Sequence, residues 1–167
     1  KTLNTAVAHN PDFIAFAGDF VDNSHAGWGN DMSKILMEEW VYAYDTTKGI
    51  TMNYPMMSAA GNHERAGYTF VNHNNIDYDK SASTGGYYSF DYENVHFTVL
   101  DTNVFEDGNQ PEIDAQLAWL EEDLANTDKA WKIVMMHIGV YSTGDHSNDS
   151  SVKKIRDILP PILSKYK

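Results

Sequence analysis

Apolar residues fall along this chain in short unbroken runs, separated by stretches with one-turn periodicity. Leu3 and Val7 stand at i, i+4 and predict the tail of an amphipathic helix over Lys1–His9, broken by Asn10-Pro11-Asp12. Phe13 to Ala17 is apolar without alternation, the pattern of a strand buried on both faces, and stops at Gly18-Asp19. Ile35, Leu36, Glu39 and Trp40 predict a helix from Asp31 to about Thr47. A short apolar segment, Tyr54 to Ala60, runs into Gly61-Asn62-His63-Glu64. Polar and aromatic residues from Arg65 to Thr84 read as a long, lid-like loop.

Tyr87–Tyr92 and Val95–Asp101 predict two strands around a Glu93-Asn94 turn. Pro111 suits the first turn of a helix reaching about Ala125. Trp131–Met136 reads as a further buried strand ending at His137, and Asp149–Tyr166 as a last helix interrupted at Pro160-Pro161. The order is helix, strand, helix, strand, hairpin, helix, strand, helix, which predicts an α/β layered domain. With 167 residues and no repeat or linker, one domain is expected. The series opens on a helix tail and closes on a helix, so 1–167 is expected to be the central part of that domain.

Charge narrows the partners. The 24 acidic and 12 basic side chains leave a formal charge of −12, which argues against an extended nucleic-acid backbone as partner. Most of those carboxylates read as a solvated surface, with some available to cations. There is no cysteine, so neither a disulfide framework nor a thiolate metal site is possible. A transition metal would need His, Asp, Glu, Asn and water, a donor set suited to Mn, Fe, Zn or Mg. No apolar run reaches membrane-spanning length.

Three polar clusters each follow a predicted strand: Gly18-Asp19-Phe20-Val21-Asp22, Gly61-Asn62-His63-Glu64, and Val134-Met135-Met136-His137. Strand ends are where α/β sheets collect their sites, and the glycines permit sharp exits and close backbone approach. Asp19, Asn62 and His137 are expected to converge as two oxygens and one imidazole nitrogen on a divalent cation. Taken singly, Asn62 is an ordinary turn residue and each histidine an ordinary core or surface side chain; position within the clusters reverses that reading. Glu64 reads as a carboxylate that supports the ligands or substrate or caps backbone, rather than a catalytic one, and Asp22 equally well as a loop carboxylate or as part of the site. His9 suits a helix end, His96 a strand, and His25, His73 and His146 exposed loops. Met56-Met57 and Met135-Met136 read as core.

The ordered set GDxxD, GNHE and VxxH resembles the calcineurin-like metallophosphoesterases. Tyr87–Tyr92 with Asn94–Phe97, and Gln116–Leu120 before Trp131–Val134, resemble the purple-acid-phosphatase-like branch, and the likeness covers nearly the whole chain. It implies a layered α/β/β/α sandwich and metal-dependent hydrolysis of phosphoric esters, foremost monoesters. A phosphodiesterase with the same core and a non-catalytic binding module are the alternatives. It further implies two metal ions (Fe, Mn or Zn), with Asp19 bridging them and Asn62 and His137 binding the second. His63 is implied as the acid or transition-state donor, and Tyr141 as a residue lining the site. A phosphoester substrate and an extracellular or cell-surface location are implied as well.

Two motifs of the family, an upstream Asp-x-His and a downstream Gly-His-x-His, do not occur here, and Gly144-Asp145-His146-Ser147 does not replace the latter. The expectation is therefore that this chain alone binds at most one ion and turns over little substrate. Asp22 stands where the purple enzymes carry the tyrosine that gives ferric iron its colour, so no such chromophore is implied. Gly139 stands where the family often has proline.

Overall fold

A computed structural model of the chain describes residues 2–22, 32–64, 67–74, 76 and 86–167, with the backbone alone described at 32–37 and 67–69. The order is α1 (Thr2–Val7), β1 (Ile14–Phe16), α2 (Met32–Thr51), β2 (Met56–Ser58), α3 (Gly67–Asn74), β3 (Tyr88–Tyr92), β4 (Val95–Val99), α4 (Asn103–Asp107), α5 (Gln110–Asn126), β5 (Trp131–Met135) and α6 (Ser150–Lys165). A 3-10 turn, Asp145–Asn148, leads into α6. The α/β class holds, and Pro111 does lie in the first turn of α5. Two elements escaped the apolar pattern. α3 lies inside the stretch expected to be a loop, much of which falls outside the described residues, and α4 is one short turn after β4.

The strands form two sheets. β1 and β2 are parallel, while β3, β4 and β5 stand in that order with β3 antiparallel and β5 parallel to β4. The sheets meet through aromatic edges: Phe13, just before β1, sets its ring against Phe90, Tyr92 and Phe97 at 5.3–5.6 Å between centroids. Helices cover the outside. Val21, Trp40, Ala60, Phe70, Val71 and Ile76 form one buried cluster, joining α2 and α3 to the loops that leave β1 and β2. A second cluster joins Leu100 to Val104 and Phe105 of α4, Ile113, Leu120 and Leu124 of α5, and Ile155 and Leu159 of α6. Each such side chain contributes about 1.5–3 kcal/mol by leaving water. The result is the α/β/β/α layering that the resemblance implies.

Burial of β1 and β5 departs from expectation. Ala15 is exposed in β1, and in β5 Trp131 is 65% and Ile133 43% exposed. An unbroken apolar run reads as doubly buried because a flanked parallel strand has both faces covered. Among the described residues β5 pairs with β4 alone. α6 also departs, running through Pro160 and Pro161 without a break. Each proline removes a helical donor. The helix persists because Val152, Ile155 and Leu159 are buried on one face, and Ile158, Ile162 and Leu163 pack beside them. No helix among the described residues is long and apolar enough to cross a membrane.

Candidate metal centre

The loop leaving β1 and the turn leaving β2 are locked against each other by missing side chains. A Cβ on Gly61 would stand 2.2 Å from Asp19 Oδ1 and 2.3 Å from its backbone nitrogen. One on Gly18 would stand 2.7 Å from Gly61 Cα and 2.8 Å from His137 Nδ1. Gly18 has φ 92° and Asp19 φ 59°, so the chain turns through left-handed backbone there, a region Asp tolerates better than most residues. The residue types at these positions are dictated by contact as much as by turn geometry.

Glu64 holds that contact closed. Its carboxylate is fully buried and accepts four backbone N–H groups: Asp19 at 3.0 Å and Gly61 at 2.6 Å on Oε2, Phe20 at 2.6 Å and Val21 at 3.2 Å on Oε1. A buried charge is tolerable only when so paired, and these donors come from both loops. The backbone-capping role expected of Glu64 is its role in the structure.

His137 reaches the same place from the other sheet, two residues past the end of β5. Its Nδ1 lies 2.7 Å from Ala17 O, and a carbonyl can only accept, so Nδ1 carries a proton. Its Nε2 lies 2.9 Å from Asn62 Oδ1 and 3.5 Å from Asp19 Oδ2. Asp19 Oδ1 is taken by the His63 N–H at 3.2 Å, which leaves Oδ2 facing the imidazole. With Nδ1 protonated, the neutral ring offers a lone pair at Nε2, so three acceptors crowd one point. Such a set is balanced by a cation, or by a proton on Nε2, or by turning the Asn62 amide over. A backbone acceptor fixing the far ring nitrogen is also the usual support of a ligating histidine. These donors, one carboxylate, one amide oxygen and one imidazole, fit a hard or borderline divalent ion. Among the described residues no three His, Cys, Asp or Glu side chains gather to hold an ion, and this group reaches three donors only through the Asn62 amide.

His63 sits beside the group, half-buried, with Nδ1 3.1 Å from Asp22 Oδ1. Asp22, readable equally as a loop carboxylate, thus touches His63. Tyr141 is 75% exposed and lies under the Arg156 guanidinium at 5.7 Å. It is absent from the described lining of the cavity that opens on Asn62 and His137. His25 lies outside the described residues. His96 is on β4, buried between Asp91 and Asp123. His73 stacks on Trp40, and His146 pairs with Asp149.

Sequence reasoning missed the frame beneath the site. Asp101, Thr102 and Asn103, directly after β4, are all buried. Asn103 Nδ2 donates to Gly61 O at 3.0 Å and Ala60 O at 3.3 Å, while the Thr102 hydroxyl accepts the Ile138 N–H at 2.9 Å. This segment therefore ties down the turn that carries Asn62 and the residue after His137. Gln116 of α5 fixes it in turn, accepting Asp101 N–H at 2.7 Å and donating to Asp101 O at 2.9 Å. The signal was present: Leu100-Asp101-Thr102-Asn103 is a fourth polar cluster following an apolar strand.

Known proteins give two matches. The family model of the calcineurin-like phosphoesterases matches residues 1–163. Purple acid phosphatase 23 of Arabidopsis thaliana is 32% identical over 129 residues, 71% of this chain and 27% of that protein. The chain therefore spans about a quarter of the length of the curated relative it matches.

Proposed function

The chain belongs to the calcineurin-like phosphoesterase family, and from that membership we propose that it carries part of the catalytic centre of a metal-dependent phosphomonoesterase. The observation that carries the reading is the convergence of Asp19 Oδ2, Asn62 Oδ1 and His137 Nε2, delivered by loops from two sheets. Asp19, Asn62 and His137 would hold an ion, Asp19 being shared with a second. The chemistry supplied by bound ions is polarisation of the phosphoryl group and activation of water for in-line attack.

The chain's own residues do the rest. In its imidazolium form His63 donates a hydrogen bond from Nε2, and can pass that proton, to a phosphoryl or leaving oxygen as charge builds there. Asp22 accepts at Nδ1, fixing the ring and leaving Nε2 as the working nitrogen. Glu64 keeps the two loops in register without touching substrate.

Residues 1–167 are the central part of one catalytic domain in this reading, whose metals are Fe, Mn or Zn. The test is His63→Ala in a metal-loaded protein that carries the whole catalytic domain. It should keep its metal by elemental analysis and lose turnover of phenyl phosphate by about 100-fold or more. Loss of metal in step with activity would make His63 a ligand, and unchanged turnover would remove it from the mechanism. Faster turnover of a diester than of phenyl phosphate would favour a phosphodiesterase. Metal binding without turnover of either would favour a binding module.

A further inference from the structure

A cavity of about 230 Å³ opens on Asn62 and His137, and Glu106, Ser142, Asp149 and Ser151 form its polar wall. It is smaller than the ~300–1,000 Å³ of pockets for drug-sized ligands. At ~30 Å³ per water it has room for about eight waters. That suits a leaving group of sugar size. No Phe, Tyr or Trp is among the described lining residues, so nothing there stacks on an aromatic or caps a quaternary ammonium.

The wall carries no excess of positive charge. Asp149 is the N-cap residue of α6 but makes no side-chain cap bond; its carboxylate accepts His146 Nδ1 at 2.8 Å instead. That hydrogen bond, and the charge of the same carboxylate, raise the His146 pKa above its ordinary value. Glu106 is exposed and opposes the partial positive charge at the start of α6. A second phosphate needs clustered cations, and the described lining holds no Lys or Arg.

What remains is hydrogen bonding of both senses. Ser151 is only 8% exposed, and its hydroxyl bonds to no described residue. The Ser142 hydroxyl accepts the Gly144 N–H at 3.0 Å and keeps its own proton to donate. Glu106 and Asp149 add acceptors, and the first N–H groups of α6 add donors. A vicinal hydroxyl is both donor and acceptor and matches such a wall. We propose that this cavity seats an uncharged, polyhydroxylated leaving group, making the substrates phosphate monoesters of sugars or polyols; this rests on the phosphoesterase reading of the adjoining centre.

The experiment compares kcat/KM for hexose 6-phosphate, hexose 1,6-bisphosphate and phenyl phosphate in the metal-loaded protein and its Ser151→Ala and Glu106→Gln variants. Loss of one buried hydrogen bond should lower the ratio of hexose 6-phosphate to phenyl phosphate about tenfold in Ser151→Ala. Glu106→Gln, an exposed and structurally mild change, should lower it several-fold. Wild type should prefer the monophosphate to the bisphosphate. The free hexose should also show saturation-transfer NMR contact with wild type and lose it in Ser151→Ala. Unchanged ratios in both variants, or preference for the bisphosphate, would overturn the leaving-group assignment while leaving the phosphoesterase reading intact. Inertness toward phenyl phosphate of a metal-loaded protein that carries the whole catalytic domain would overturn the reading beneath it.

Discussion

Glu64→Gln is the sharpest perturbation of the frame around the site, because it keeps shape and changes only what the side chain can accept. The carboxylate takes two N–H groups on each oxygen, at 2.6–3.2 Å. An amide has one oxygen. Whichever way it turns, its NH2 group faces two backbone donors, either those of Asp19 and Gly61 or those of Phe20 and Val21. Two charge-assisted hydrogen bonds at about 1.5–3 kcal/mol each give a gross loss of about 3–6 kcal/mol. Burying a neutral amide in place of a carboxylate offsets part of that, so the lower end, about 3 kcal/mol, is expected. Against a total of about 5–15 kcal/mol for a domain, that is a large share. Urea unfolding at pH 7, followed by fluorescence of the four tryptophans, reads it directly. A change below about 1 kcal/mol would refute the view that Glu64 clamps the two loops together.

Gly61→Ala should weaken binding of a divalent ion at least tenfold, since the new Cβ would meet Asp19 Oδ1 at 2.2 Å and Glu64 Oε2 at 2.7 Å. Gly49→Ala in α2, where nothing lies within 4 Å, should instead raise stability by about 0.5–1 kcal/mol, and titration calorimetry with thermal melts separates the two. His96 gives a pH signature. Burial pulls its pKa down, but hydrogen bonds to Asp123 at 2.9 Å and Asp91 at 2.7 Å, with both carboxylate charges, outweigh it and hold the pKa above 6.5. Lys129, 3.6 Å from Asp91, is the other charge in ion-pair contact with that cluster. The raised folded-state pKa means stability that is full below the unfolded value and is lost as pH rises through the folded one. Urea midpoints should therefore fall on raising pH above about 6.5, and His96→Gln should flatten that fall; equal slopes would show that the histidine is not charged in the fold.

How far the sequence carried this picture depends on the kind of signal. Helices with one-turn spacing or a proline at the start were legible, as in α2 and in α5, where Pro111 lies in the first turn. So were the exits at Asp19 and Asn62, because glycine followed by polar residues after an apolar run marks a strand end, and the exit at His137, where a polar residue ends an apolar run. The pairing of strands was not legible. Periodicity reports a strand's own composition, whereas the exposure of Trp131 and Ile133 depends on which neighbours flank β5. The break expected at Pro160-Pro161 failed for a similar reason, since the burial of Ile155 and Leu159 overrides a local penalty. In the site, the contact between Asp22 and His63 joins residues 41 apart, and the bonds from Asn103 to Gly61 span 42. Only the folded chain brings those partners together.

The central claim is that Asp19, Asn62 and His137 together hold a divalent cation, and calorimetric titration of the chain with Mn²⁺ and Zn²⁺ at pH 7 tests it most directly. The account predicts saturable binding that Asp19→Ala, Asn62→Ala and His137→Ala each weaken at least tenfold, while His63→Ala retains it. Binding that survives all three ligand substitutions, or that disappears with His63→Ala alone, would contradict it.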